Sequence, residues 1–178
     1  GKGFGMAISL YDASAALFIQ TLGAVDGFLS HSLKHFEEHN IDPAVVVETR
    51  LFSDMLPFRY QIQAAIGHSV GAIEGVKSGV FDPPRGNPAA DYAGLQKEVA
   101  DAIAALKALT PSDVNALEGK DMVFKLGDRS MPFLGENFLL TFSLPNFHFH
   151  ATTAYDILRQ KGVPLGKRNY LGAIKMKT

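Results

Sequence analysis

Six histidines and no cysteine leave imidazole as the soft ligand and general-base group of this 178-residue chain. Thiolate chemistry is excluded with the cysteines, including zinc ribbons, iron–sulfur clusters, cysteine nucleophiles and disulfides. His31, His35 and His39 recur at i, i+4 and i+8, so they stack along one helix face, where two imidazoles can chelate one ion. The competing reading is a solvated helix end, and it is the stronger one. Glu37, Glu38 and Asn40 flank the segment, and a cationic His39 in a last turn suits the helix dipole. The second group is Asn146-Phe-His-Phe-His150. In a helix Asn146 and His150 share a face, while His148 points to the opposite flank. A neutral amide is a poor ligand beside imidazole, which favours a core His150 hydrogen-bonded to Asn146 or to a hydroxyl such as Thr153. His68 stands alone near Ala65, Ser69 and Ile73, where a buried histidine is more often a satisfied structural group than a ligand.

No phosphate-binding loop, GxGxxG, HExxH or GxSxG pattern occurs, so nucleotide binding, zincin proteolysis and α/β-hydrolase chemistry have no support. Seventeen basic against eighteen acidic residues give a net charge of −1, which argues against nucleic acid or anionic membrane as a partner. The longest apolar runs, around Ala44–Val47 and Phe138–Leu140, fall far short of the roughly 20 residues of a membrane span. The opening residues carry no signal-peptide pattern. The expectation is one soluble cytoplasmic domain over residues 1–178.

The elements that must position these side chains are mainly helical. Ile8 to His39 reads as one helix, with Leu17, Thr21, Ala24, Phe28, His31 and His35 beside a stripe of Phe18, Leu22, Val25, Leu29 and Phe36. Asn40 is a left-handed stop. Asp42-Pro43 opens a short helix through Val47. A second long helix runs from about Phe58 to Lys77 and closes at Ser78-Gly79. Phe81–Ala90, with three prolines, is a loop. A third helix spans Tyr92 to Leu109, and Thr110-Pro111-Ser112-Asp113 opens one more short turn. Met122–Leu134 alternates about a Gly-Asp turn and predicts a β-hairpin. The last helical stretch, Glu136–Lys161, contains Pro145, which predicts a kink or break. Gly162 and Pro164 end it.

The stretch Leu144–Gly172, LPNFHFHATTAYDILRQKGVPLGKRNYLG, resembles the C-terminal block of a bacterial family, the domain of unknown function numbered nineteen-ninety-three. Lys34-His35, Ile41-Asp42-Pro43 and the Leu56-Pro57, Gln61 and Gln63 stretch are similar too, so the resemblance covers nearly the whole chain. It implies a branch of the DinB/YfiT-like metalloenzyme superfamily: all-α, an antiparallel four-helix bundle, here with the small hairpin before the last helix. Typical members of that superfamily hold a divalent nickel or zinc through one histidine of the second helix and an HxxxH pair on the last. Some are metal-dependent thiol transferases. His150 matches the second histidine of the pair, with Leu158, Arg159 and Gly162 following in frame. Asn146 stands where the first belongs, and Ala151-Thr152-Thr153 replaces the usual arginine, glycine and glutamine. His68 is the candidate on the second helix, and His35 joins it if it faces the same cavity.

Two readings follow. In the favoured one the metal site is degraded, and a polar pocket of His150, Asn146, His68, His35 and Thr153 serves small-ligand binding or interaction. In the alternative, a metal-dependent transferase or hydrolase uses His150, His68 and His35 as ligands of zinc or nickel. The resemblance also implies a homodimer. Phe138, Phe142, Phe147 and Phe149 exceed what one helix needs to face a single core.

Overall fold

The structure, a computed structural model, describes residues 8–83 and 85–178. Pro84 of the proline-rich loop and the opening residues 1–7 lie outside the described residues. The fold is mostly helical with a small three-stranded sheet, so the all-α expectation is corrected at its edge.

The first expected helix is two. Helix α1 (Leu10–Ala13) is followed at Ser14 by α2 (Ala15–Glu38). Ser14 has φ −128° and ψ −86°, outside the helical region, and its Oγ donates to Leu10 O at 2.6 Å. A side chain that competes for the backbone carbonyl is what breaks the helix there. Both expected stripes of α2 bury most of their apolar members, Phe18, Leu22, Phe28, Leu29 and Phe36 all being at 0–1% exposure. His31 and Leu17 are exposed instead. The combined stretch Leu10–Glu38 is long and apolar enough to cross a membrane, contrary to the sequence expectation, but half of its most apolar window is buried. A core helix of a globular protein has that same character, and no membrane protein is indicated.

Asn40 takes φ 53° and stops α2. Asp42 caps α3 (Pro43–Val47), accepting from Ala44 N at 2.9 Å. The second long helical run is α4 (Phe58–Ile66), a π-helical turn at Gly67–Gly71, and α5 (Ala72–Ser78), closed by Gly79 at φ 91°. Asp91 caps α6 (Tyr92–Lys107), and a capping box of Thr110 and Asp113 opens α7 (Pro111–Asn115).

The hairpin forms as expected, β2 (Asp121–Leu126) against β3 (Arg129–Leu134), with Gly127 at φ 57° in a two-residue turn. A further strand, β1 (Val80–Phe81), pairs parallel to β2 with Val80 opposite Val123. Its second residue, Phe81, lies where the sequence predicts a loop. A strand of two residues is too short to show alternation, and only the tertiary fold brings β2 alongside.

The last helical run is α8 (Gly135–Asn137), a second π-turn at Phe138–Ser143, and α9 (Leu144–Gln160). Pro145 does not break it. The wide turn absorbs the proline, since i→i+5 bonding moves the clashing carbonyl away, and the Asn146 Nδ2 donates to Phe142 O at 2.9 Å. After Gly162 the chain forms α10 (Lys167–Leu171), which packs on α2 and takes a hydrogen bond from Gln20 Nε2 to Leu171 O at 2.8 Å.

The core lies among α2, α4, α6 and α9. Phe18 meets Phe147 edge-on at 4.9 Å, and the sheet delivers Phe81 and Phe124 against Phe138 and Phe142. The turn from β3 into α8 is tight. A Cβ on Gly135 would stand 2.5 Å from Leu117 O and 2.7 Å from Val76 Cγ1. Gly135→Ala is therefore expected to lower stability by about 1–3 kcal/mol through overpacking. Gly27→Ala, where a Cβ meets nothing within 4 Å on the exposed side of α2, should raise it by about 0.5–1 kcal/mol. Urea unfolding midpoints of the two variants check both signs.

Candidate functional site

Helix α4 and helix α9 pack side by side, and one hydrogen bond joins them across 89 residues of chain. His150 Nδ1 lies 2.7 Å from Gln61 Oε1. Gln61 Nε2 donates to Leu56 O at 3.0 Å, which turns the amide oxygen toward the ring. The imidazole must then donate from Nδ1, and its Nε2 carries a lone pair. His150 is half-buried, with Tyr60 edge-on at 5.9 Å and Phe149 at 5.2 Å.

His68 comes from the first π-turn. It is 6% exposed, and its ring lies parallel to that of His150, centroids 5.9 Å apart with 6° between planes. Phe81 and Phe142 cover its other sides at 5.5 and 5.8 Å. His68 Nδ1 is buried without a hydrogen-bond partner among the described residues. Burial in this aromatic cage, with a smaller push from the neighbouring His150, lowers its pKa to about 4. Burial lowers the pKa of His150 as well. At neutral pH the site is a pair of uncharged imidazoles.

The pair contains two of the histidines singled out from the sequence, and the others lie elsewhere. Asn146 does not bond His150: its amide serves Phe142 O in its own helix. Thr153 is buried but donates to Phe149 O at 2.7 Å. The expected partners of His150 are thus corrected to Gln61. His35 stacks on His39 at 4.0 Å near the end of α2, and His39 Nδ1 bonds His35 O, as a helix end predicts. His148 points away from the pair, as expected, and meets Tyr170 OH at 2.7 Å. Among the described residues no group of three or more His, Cys, Asp or Glu is placed to hold a metal ion.

Gln61 is the partner of His150 that motif reading does not single out as a site residue. A signal for it existed, because Gln61 and His68 stand seven apart and so share a helix face, and a glutamine amid Phe58, Ile62 and Ala65 is a polar group in an apolar stripe. Phe81 had no such signal, since a sheet contact positions it.

The fold is thus mostly helical with a small sheet, and it sets an imidazole pair between two long helical runs. A crystal structure of a DinB family member protein from Shewanella denitrificans superposes with a TM-score of 0.78, covering 95% of each chain at 25% identity. Residues 10–171 match the family described as Domain of unknown function (DUF1993), and the chain belongs to that family. No curated protein matches it.

The depressed pKa of His68 has a consequence for stability. As pH falls below about 6.5 the unfolded chain takes up a proton at this residue, whereas the folded one does not until about pH 4. Stability is therefore present above this window and lost as pH falls through it, with a slope of up to about 1.4 kcal/mol per pH unit for one proton. Urea titrations between pH 7 and 4 should show that slope, and His68→Phe should reduce it. His150 and His148, both also lowered by burial, keep part of the slope in that variant.

Proposed function

We propose that the chain is an antiparallel four-helix bundle protein of DinB/YfiT type whose metal site is degraded, and that its imidazole pair binds a small molecule bearing a hydrogen-bond donor. One observation carries this reading: Gln61 holds the Nδ1–H of His150, so Nε2 is presented as a neutral acceptor beside the partly exposed Tyr60 and Phe149. A catalytic zinc takes three protein ligands. Here two imidazoles adjoin, the Asn146 amide is engaged within α9, and His35 is on a separate helix end. That donor set does not fit a catalytic zinc or nickel centre.

A second reading, a metal-dependent transferase or hydrolase on His68 and His150, draws on the same Gln61 contact. Metal-bound imidazoles commonly donate their other ring N–H to an oxygen acceptor, which fixes the tautomer. Metal analysis of protein purified without chelator separates the two: substoichiometric metal is expected, and one equivalent of zinc or nickel would overturn the ligand-binding reading. Long-range ¹H–¹⁵N spectra of the imidazoles, recorded with a panel of phenols, alcohols and thiols, should show shifts at His150 and His68 and none at His31. His150→Ala should abolish them and cost about 1–3 kcal/mol of stability, because Gln61 Oε1 is left without its donor.

The proposal includes a cytoplasmic homodimer. Phe52, Leu56 and Phe149 are 67%, 47% and 59% exposed, apolar side chains that a second copy would cover. Phe138 and Phe147, by contrast, are spent in the core. Sedimentation at micromolar concentration should give twice the 19.2 kDa chain mass, and a monomer would remove this part.

A further inference from the structure

Two residues on from Gln61, and so roughly 200° round the helix, Gln63 faces a different part of the molecule. A groove of about 460 Å³ opens there between α4, the first π-turn and α6. Neither histidine of the pair lines it. Its volume falls within the roughly 300–1,000 Å³ of small-molecule sites. The floor is apolar, built from Ile66, Val70, Ala102 and Ala105.

The charged groups in the lining are Glu98 and Asp101, both acidic. Glu98 accepts from Gln63 Nε2 at 3.1 Å, a neutral donor, and among the described residues it has no ion-pair partner. Asp101 pairs with Lys97 at 2.6 Å, but side chains 76% and 65% exposed make a pair that exchanges readily with solvent. Arg85 precedes the groove wall and is exposed, outside the lining.

The wall is preformed. Gln63, 7% exposed, also donates to Asn87 O at 3.0 Å and so ties the 85–90 segment to α4. Gly86 sits against it at φ 71°, where a Cβ would collide with Gln63 Oε1. A concave apolar floor, a fixed wall and two carboxylates without a buried counter-charge make a site complementary to one chemistry.

We propose that this groove binds a small organic cation, an alkyl- or arylalkyl-ammonium whose apolar body lies on Ile66, Val70, Ala102 and Ala105 and whose charged end is held by Glu98 and Asp101. The site is separate from the imidazole pair and does not rest on the reading given for it.

Amide ¹H–¹⁵N titration of the full chain with phenethylammonium tests the proposal, with phenethyl alcohol as the neutral isostere. Saturable shifts at Gly67, Asn87, Ala102 and Ala105 are expected, with the alcohol at least about tenfold weaker. Glu98→Gln should weaken the ammonium by about tenfold and leave the alcohol unchanged. Asp101→Asn, on the exposed pair and away from the Gln63 contact, keeps the test open if Glu98→Gln disturbs the fold. His150→Ala should bind the ammonium like the unmodified chain. Equal binding of ammonium and alcohol, shifts that do not saturate, or unchanged affinity in both acid variants would overturn the proposal.

Discussion

The contact between Gln61 and His150 is the constraint on which the centre of this molecule is arranged. It joins the second and last long helical runs, and its donor and acceptor are settled by a further bond from Gln61 to Leu56 O. Two imidazoles packed in parallel between those helices are tolerable because both are neutral. Desolvation penalises the charged form, most strongly at His68, which sits inside an aromatic cage with one ring nitrogen unsatisfied. A buried polar atom left so is costly, and native proteins carry few of them.

Both helical runs that bring the pair together depart from α geometry. The turn at Gly67–Gly71 carries His68 itself, and the one at Phe138–Ser143 precedes the turn that carries His150. Each inserts an extra residue per turn and so re-aims the side chains that follow. In the second run the same device removes the conflict between a proline and a continuous helix. Asn146 serves that junction through its bond to Phe142 O. The position thus has a structural task in this chain, tying the first turn of α9 to the π-turn before it.

Helix α4 organises two faces of the molecule with two buried glutamines. Gln61 turns toward α9 and the imidazoles, and Gln63 turns toward α6, Glu98 and the carbonyl of Asn87. A glutamine amide is suited to this because it donates and accepts at once without a charge to desolvate. The helix reads as a core element with two polar interruptions, and each interruption ties down a different neighbour.

Local chemistry wrote much of this structure into the chain. The caps at Asp42 and Thr110, the stops at Asn40 and Gly79, the hairpin about Gly127 and the buried stripe of α2 all follow from residue type and spacing, because each is decided within a few residues. So was the placing of His39 on a helix end and of His148 away from the pair. Ser14 ending α1 and the π-turn around Pro145 were not legible, since both depend on which of two near-equal hydrogen-bond registers the packing selects. The site was legible only in part. His150 and His68 stood out by type, but their being neighbours, their glutamine and their cage come from chain segments up to 89 residues apart. Type and periodicity determined which side chains had to be buried. Only the tertiary structure decided which of them meet, because contacts between helices depend on packing angle and register rather than on spacing along the chain.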